Sequence, residues 1–220
     1  MKKEKLLILW SGGIDSTSNL KSYLEKTEYD IIVHHIVYNC GNSLRQKKEL
    51  ESINKLLPIL NNIRKFKYVQ TLCEYQYYPR IYDITMLFTL SIPIALNFDC
   101  NKIVIGFVAD IRDNQKEYID NTKKHLDIIS ESFCRLNNYA DITPKVYISE
   151  FIDSKYNYII NLGDIINDVW FCRGYKDKKT NKMVLTKKPC GKCHTCQHVK
   201  KSIEHLVDVC ISNSEFDLDK

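Results

Sequence analysis

The chain has 220 residues, enough to bury one α/β core with a modest appendage. Hydrophobic residues make up 44% and charged residues 27%, with only 7 Gly and 5 Pro, which excludes long disordered linkers. The net charge of +5 is a mild basic bias, and a late lysine cluster (Lys176, Lys178, Lys179, Lys182, Lys187, Lys188, Lys192, Lys200, Lys201) is either a solvated face or a surface for an anionic partner.

Leu6-Leu7-Ile8-Leu9-Trp10 is an unbroken apolar run, as expected of a strand covered on both faces. It is too short for a signal-peptide core or a membrane span, so a cytoplasmic protein is expected. After a Ser-Gly-Gly turn, residues 16–26 predict a helix, with Leu20, Tyr23 and Leu24 at helical spacing. The β-branched and aromatic stretch 31–38 predicts a second strand, residues 46–62 a helix, and residues 66–71 a third strand. Residues 81–98 predict an apolar helix kinked at Pro93, and Lys102-Ile103-Val104-Ile105 a fourth strand ending at Gly106. A long helix over 115–136, a fifth strand over 145–149 and a helix over 154–168 capped by Ser154 follow. A last helix is expected from about His194 to Val209.

Strands alternating with helices predict a doubly wound parallel five-stranded sheet, with ligands at the carboxyl ends of its strands. Residues 1–150 then form the α/β domain, and residues 151–220 a helical extension holding a cysteine-rich knot.

Trp10-Ser11-Gly12-Gly13-Ile14-Asp15-Ser16-Thr17 joins the first strand to the first helix. Two glycines permit a tight turn that exposes consecutive N–H groups, and the helix N-terminus adds partial positive charge. Ser11, Ser16 and Thr17 add hydroxyls, and Asp15 fits a bracing or magnesium-handling role. The loop has neither the lysine of a Walker A motif nor a GxGxxG fingerprint.

Nine cysteines are many for a reducing compartment, where clusters point to metal rather than disulfides. Cys40, Cys73, Cys100, Cys134 and Cys210 are scattered and read as small buried hydrophobes. Cys190, Cys193 and Cys196 with Cys172 upstream form a tetrahedral zinc set, structural because four thiolates leave no open position. His194 and His198 are rival ligands, and a redox role for Cys193-x-x-Cys196 is the other alternative.

The Ser-Gly-Gly-x-Asp-Ser loop resembles that of the PP-loop ATP pyrophosphatases. Together with Lys188-Pro189-Cys190-Gly191-Lys192-Cys193-His194-Thr195-Cys196 and Val169-Trp170-Phe171-Cys172-Arg173, it is similar to the 7-cyano-7-deazaguanine synthase family over nearly the whole chain. Ile103-Val104-Ile105-Gly106 followed by Asp110 resembles that family's fourth strand and substrate loop, and Pro79-Arg80 weakly resembles its Pro-x-Arg-Asn signature. The resemblance implies an adenine nucleotide alpha hydrolase-like fold and a magnesium-requiring, zinc-containing homodimer. Such an enzyme uses ATP to turn 7-carboxy-7-deazaguanine and ammonia, through an amide, into the nitrile. It implies that Ser11, Gly12, Gly13, Ile14, Asp15, Ser16 and Thr17 hold ATP, with Tyr38, Arg80 and Gly106 nearby, and that Cys172, Cys190, Cys193 and Cys196 hold zinc. Ser11, Asp15, Ser16, Asp110 and Arg112 are the catalytic candidates, the last two because they follow the fourth strand at the ligand-facing edge. Arg45, Glu49, Asp113 and Lys155 also fall at or near strand ends or helix starts.

The chain departs from that family at residues 39–45 and 111–115, where the base-reading pocket is expected. Other readings are a divergent ligase that stops at the amide or uses a protein amine, a tRNA-modifying PP-loop enzyme, or a non-catalytic nucleotide- or nucleic-acid-binding protein.

Overall fold

Side-chain alternation along the first strand sets the layers of the molecule. In the computed structural model, β1 spans Lys5–Leu9 and sends Leu6 and Ile8 into one core and Leu7 into the opposite one, all three fully buried. A strand covered on both faces has no solvent side, so every such position is apolar. The structure describes residues 3–39, 43–74, 83–106, 115–148, 154–177, 179–180, 183–184 and 186–215.

The other strands of the sheet are β2 (Asp30–Asn39), β3 (Lys67–Glu74), β4 (Lys102–Ile105) and β5 (Lys145–Ile148). All neighbours are parallel, in the order β3-β2-β1-β4-β5. Helices α1 (Ile14–Lys26) and α2 (Ser43–Ile63) supply Leu20, Tyr23, Ile53, Leu56 and Leu60 to the core shared with Leu6 and Ile8. Helices α3 (Asp83–Asn97) and α4 (Gln115–Leu136) bring Phe88, Ile92, Leu126 and Cys134 against Leu7 on the other face. The expected doubly wound α/β architecture is therefore present.

Pro93 lies inside α3, as expected, and Pro58 lies inside α2. The helix expected over residues 154–168 divides. Ser154 caps α5 (Lys155–Leu162) by accepting the Asn157 N–H at 3.1 Å, but Gly163 adopts φ +55° and ends it. Residues Gly163–Asp168 continue as a tighter 3-10 turn. Helix α6 (His194–Glu215) runs beyond Val209. Between them a small antiparallel hairpin, β6 (Tyr175–Lys176) with β7 (Met183–Val184), separates Cys172 from Cys190. Two-residue strands carry no readable period, so the sequence gives no sign of them.

Tyr158, Ile159 and Leu162 of α5 and Val199 of α6 enter the same core as Leu6 and Ile8. Among the described residues, no helix is long and apolar enough to cross a membrane.

Leu9 is in register with both His34 of β2 and Ile105 of β4. The carboxyl ends of β1 and β4 are thus level, while β2 runs on to Asn39 beside β3, and between β1 and β4 the chain crosses from one face of the sheet to the other. That is the crevice in which open α/β sheets take ligands.

Candidate active site and metal centre

The turn after β1 is held from within by its own serines. The Ser11 N–H donates to Ser16 Oγ at 3.1 Å, the two hydroxyl oxygens are 3.0 Å apart, and Ser16 Oγ donates to the Gly13 carbonyl at 3.3 Å. Gly12 has φ +72°, a left-handed conformation that favours glycine. No side chain caps α1 at Gly13, so the amides of its first turn stay available at the open end of the loop.

Gly106 matters for a different reason. A Cβ there would lie 2.7 Å from the Asp15 carbonyl oxygen and 2.8 Å from Ser16 Cα. The fourth strand can approach the phosphate loop this closely only because the residue has no side chain.

A cavity of about 500 Å³ opens over this floor. Ser11, Gly13, Ile14, Asp15, Ser16 and Gly106 line it, together with His34, His35, Arg45, Glu49, Lys155, Trp170, Phe171, Cys172, Arg173 and Thr195. Lys155, only 10% exposed, is ion-paired with Asp15 across the cavity base, and Arg45 donates to Glu49 at 2.8 Å. The buried indole N–H of Trp170 has no hydrogen-bond partner among the described residues.

Thr17 and Gly12, grouped with the loop on sequence, do not line the cavity. Thr17 is fully buried, and its hydroxyl accepts the Trp10 indole N–H at 2.9 Å. Gly12 turns its carbonyl toward Ser52 and Trp170. The Tyr38 backbone pairs with Cys73 in the sheet. Arg80, Asp110, Arg112 and Asp113 lie outside the described residues.

Sequence reasoning did not single out His34, His35, Ser52 or Arg173. Two histidines inside a β-branched strand were the available signal for the first pair. Burial, with His35 adding repulsion, pushes His34 down to about 4. Burial also lowers His35, whose Nδ1 lies 3.0 Å from the Trp10 carbonyl. Ser91 spends its hydroxyl proton on the Leu87 carbonyl at 2.8 Å, so it accepts from His34 Nδ1–H at 3.0 Å. His34 Nε2 then accepts the Thr71 hydroxyl at 2.9 Å. This neutral ring is satisfied at both nitrogens.

The four cysteines converge as the spacing predicts. The Sγ atoms of Cys172, Cys190, Cys193 and Cys196 all lie within 4.8 Å of one another, and His194 and His198 are not part of the group. Gly191, at φ +67°, turns the chain between Cys190 and Cys193. Five backbone amides point at sulfur: Gly174 and Cys190 to Cys172, Lys192 and Cys193 to Cys190, and Cys196 to Cys193, at 3.3–3.4 Å. Although burial opposes it, the Cys193 and Lys192 amides bring the Cys190 thiol down to about 7. Burial pushes Cys172 and Cys196 up. Crowded thiolates need a cation among them, and amide donors aimed at sulfur suit ionised rather than protonated cysteine. The donor set fits a bound metal.

No protein-family model matches the chain, and no curated protein matches it by sequence. Among solved structures it is similar to the U34-tRNA thiolase NcsA from Methanococcus maripaludis, determined with its [4Fe-4S] cluster. The TM-score is 0.51 at 12% identity, over 94% of this chain and 67% of that one. Identity this low speaks to fold alone, and with the strand order it gives the chain an adenine nucleotide alpha hydrolase-like (PP-loop) fold carrying a four-cysteine cluster near its C-terminus.

Proposed function

We propose that this chain is an ATP-dependent synthase that adenylates a small carboxylic acid, with 7-carboxy-7-deazaguanine as the acid and ammonia as the amine. One observation carries the reading: the Ser11–Ser16 loop forms the floor of a cavity whose walls also bear Lys155, Arg45 and Arg173. Amides at the start of α1 and the Ser11 and Ser16 hydroxyls receive the β- and γ-phosphates. Lys155 lies against Asp15 at the cavity base and balances charge that develops on the departing pyrophosphate. Arg45 and Arg173 offer cations to the substrate carboxylate.

In the chemistry, a carboxylate oxygen attacks the α-phosphorus and pyrophosphate leaves, giving an acyl adenylate. Ammonia then displaces AMP and loses a proton, which yields the amide. A second ATP adenylates the amide oxygen, and loss of AMP with the two nitrogen-bound protons gives the nitrile. Magnesium held near Asp15 would neutralise phosphate charge.

The metal we assign to the four cysteines is zinc. A Zn–S bond of about 2.3 Å sets a tetrahedral edge of about 3.8 Å. Sulfurs all within 4.8 Å, with Cys190 and Cys196 3.9 Å apart, suit that single ion. A four-iron cluster places iron and sulfide atoms between its thiolates and spreads them further.

Incubating zinc-loaded protein with ATP, magnesium, ammonium and the deazaguanine acid tests the assignment. Mass spectrometry should show AMP, pyrophosphate and an amide or nitrile product; folded, metal-replete protein that gives none of these refutes it. A second reading, tRNA modification, draws on the likeness to a tRNA thiolase and on Cys172 in the cavity wall. It predicts pyrophosphate release that depends on tRNA and not on the acid.

A further inference from the structure

We propose that metal at the four-cysteine site sets the affinity of the phosphate loop for nucleotide, with Ser52 as the positioning residue that couples the two; the inference rests on the nucleotide-binding reading above. The contact between the sites is direct. The Trp170 N–H donates to the Gly12 carbonyl at 3.1 Å, two residues before the metal ligand Cys172. Ser52 Oγ, on α2 and 4% exposed, shares its one proton between the Asp168 carbonyl at 2.6 Å and the same Gly12 carbonyl at 3.0 Å, and accepts the Trp170 N–H at 3.1 Å. One buried hydroxyl therefore ties the loop, α2 and the segment that leads into the metal site.

This tie has a consequence for the anion site because the peptide unit is planar and trans. The carbonyl of Gly12 and the N–H of Gly13 belong to one peptide and point in opposite directions. Pinning the carbonyl onto Ser52 and Trp170 fixes the Gly13 N–H, which donates to Ser11 Oγ at 3.4 Å on the side that Ser11 and Gly13 line in the cavity and Gly12 does not. A rotated peptide would turn a carbonyl oxygen toward the phosphates instead. The loop has little slack in which to do this harmlessly: a Cβ at Gly12 would meet Ile53 Cγ1 at 3.0 Å and the Glu49 carbonyl at 3.3 Å.

Residues 169–172 are held at their far end by Cys172. With metal bound, that sulfur is fixed to three others and the Trp170 amide stays on Gly12. Without it, the crowded sulfurs separate and the amide is freed. Linkage then requires reciprocity, so bound nucleotide must hold the metal more tightly by the same factor.

The test measures both directions. Calorimetry with a non-hydrolysable ATP analogue and magnesium is run on zinc-loaded and chelator-stripped protein, and chelator-driven zinc release is followed with and without the analogue. About tenfold weaker analogue binding after stripping, matched by an about tenfold shift against the chelator in the equilibrium of zinc release when the analogue is bound, is expected. Ser52→Ala should keep the thiolate charge-transfer spectrum of the cobalt-substituted protein while the analogue's effect on zinc release falls below twofold. A purely structural serine would lower stability yet leave that effect intact. The release measurement uses loaded, folded wild-type protein, so it stands even if the stripped form or the variant unfolds. Unchanged zinc release with analogue bound overturns the coupling. Absence of analogue binding to loaded protein would instead strike the functional reading on which it rests.

Discussion

Two single residues carry consequences that can be measured. At Gly106 there is no room for a methyl group, because the nearest atoms, at 2.7 and 2.8 Å, are backbone of the phosphate loop and cannot swing aside. Gly106→Ala should cost about 2 kcal/mol in urea denaturation and weaken ATP-analogue binding, whereas an unchanged affinity would place the loop away from the nucleotide. His34 makes stability depend on pH with a definite sign. Its folded value of about 4 is below the ordinary 6.5, so between those limits the unfolded chain binds more protons than the folded one. The stabilisation is complete above pH 6.5 and is lost as pH falls toward 4. Wild-type protein should lose about 2 kcal/mol between pH 7.5 and 5 through this group. In His34→Gln the loss over that interval should be smaller, with the buried His35 leaving some behind. Equal slopes for the two proteins would show that His34 titrates normally.

At the scale of elements, the metal loop stands between the sheet and the last helix. The first turn of α6 carries Cys196, whose amide bonds to Cys193 Sγ, and Val199 of the same helix enters the main core. Metal at the four cysteines would therefore fasten both the extended segment 170–172 and the start of α6. Cys193→Ser leaves three thiolates and should lower the melting temperature by about 10 °C, with amide exchange rising first in residues 170–172 and 194–202. Exchange that rises uniformly along the sheet would contradict this local role. The hairpin β6–β7, spliced between the cysteines, only lengthens the loop that the metal closes.

Across the whole molecule, the sheet was legible because a strand covered on both faces leaves an unbroken apolar run, as Leu6–Trp10 does. The phosphate loop and the four cysteines were legible because each is contiguous or nearly so. What stayed hidden depends on contacts between distant segments. Ser52 belongs to the buried side of α2 with Ile53, Leu56 and Leu60, and a polar residue there was the sole signal. Its partner at Trp170 is 118 positions away, beyond the reach of local pattern. Thr17 misled for a related reason: it sits in the motif, but its hydroxyl serves Trp10. The measurement that tests the central claim most directly uses ATP and an acid labelled with oxygen-18 in its carboxylate. If the cavity presents the α-phosphate to that carboxylate, the products are AMP bearing one labelled oxygen and unlabelled pyrophosphate. Formation of ADP and phosphate, or of AMP without label, would contradict it.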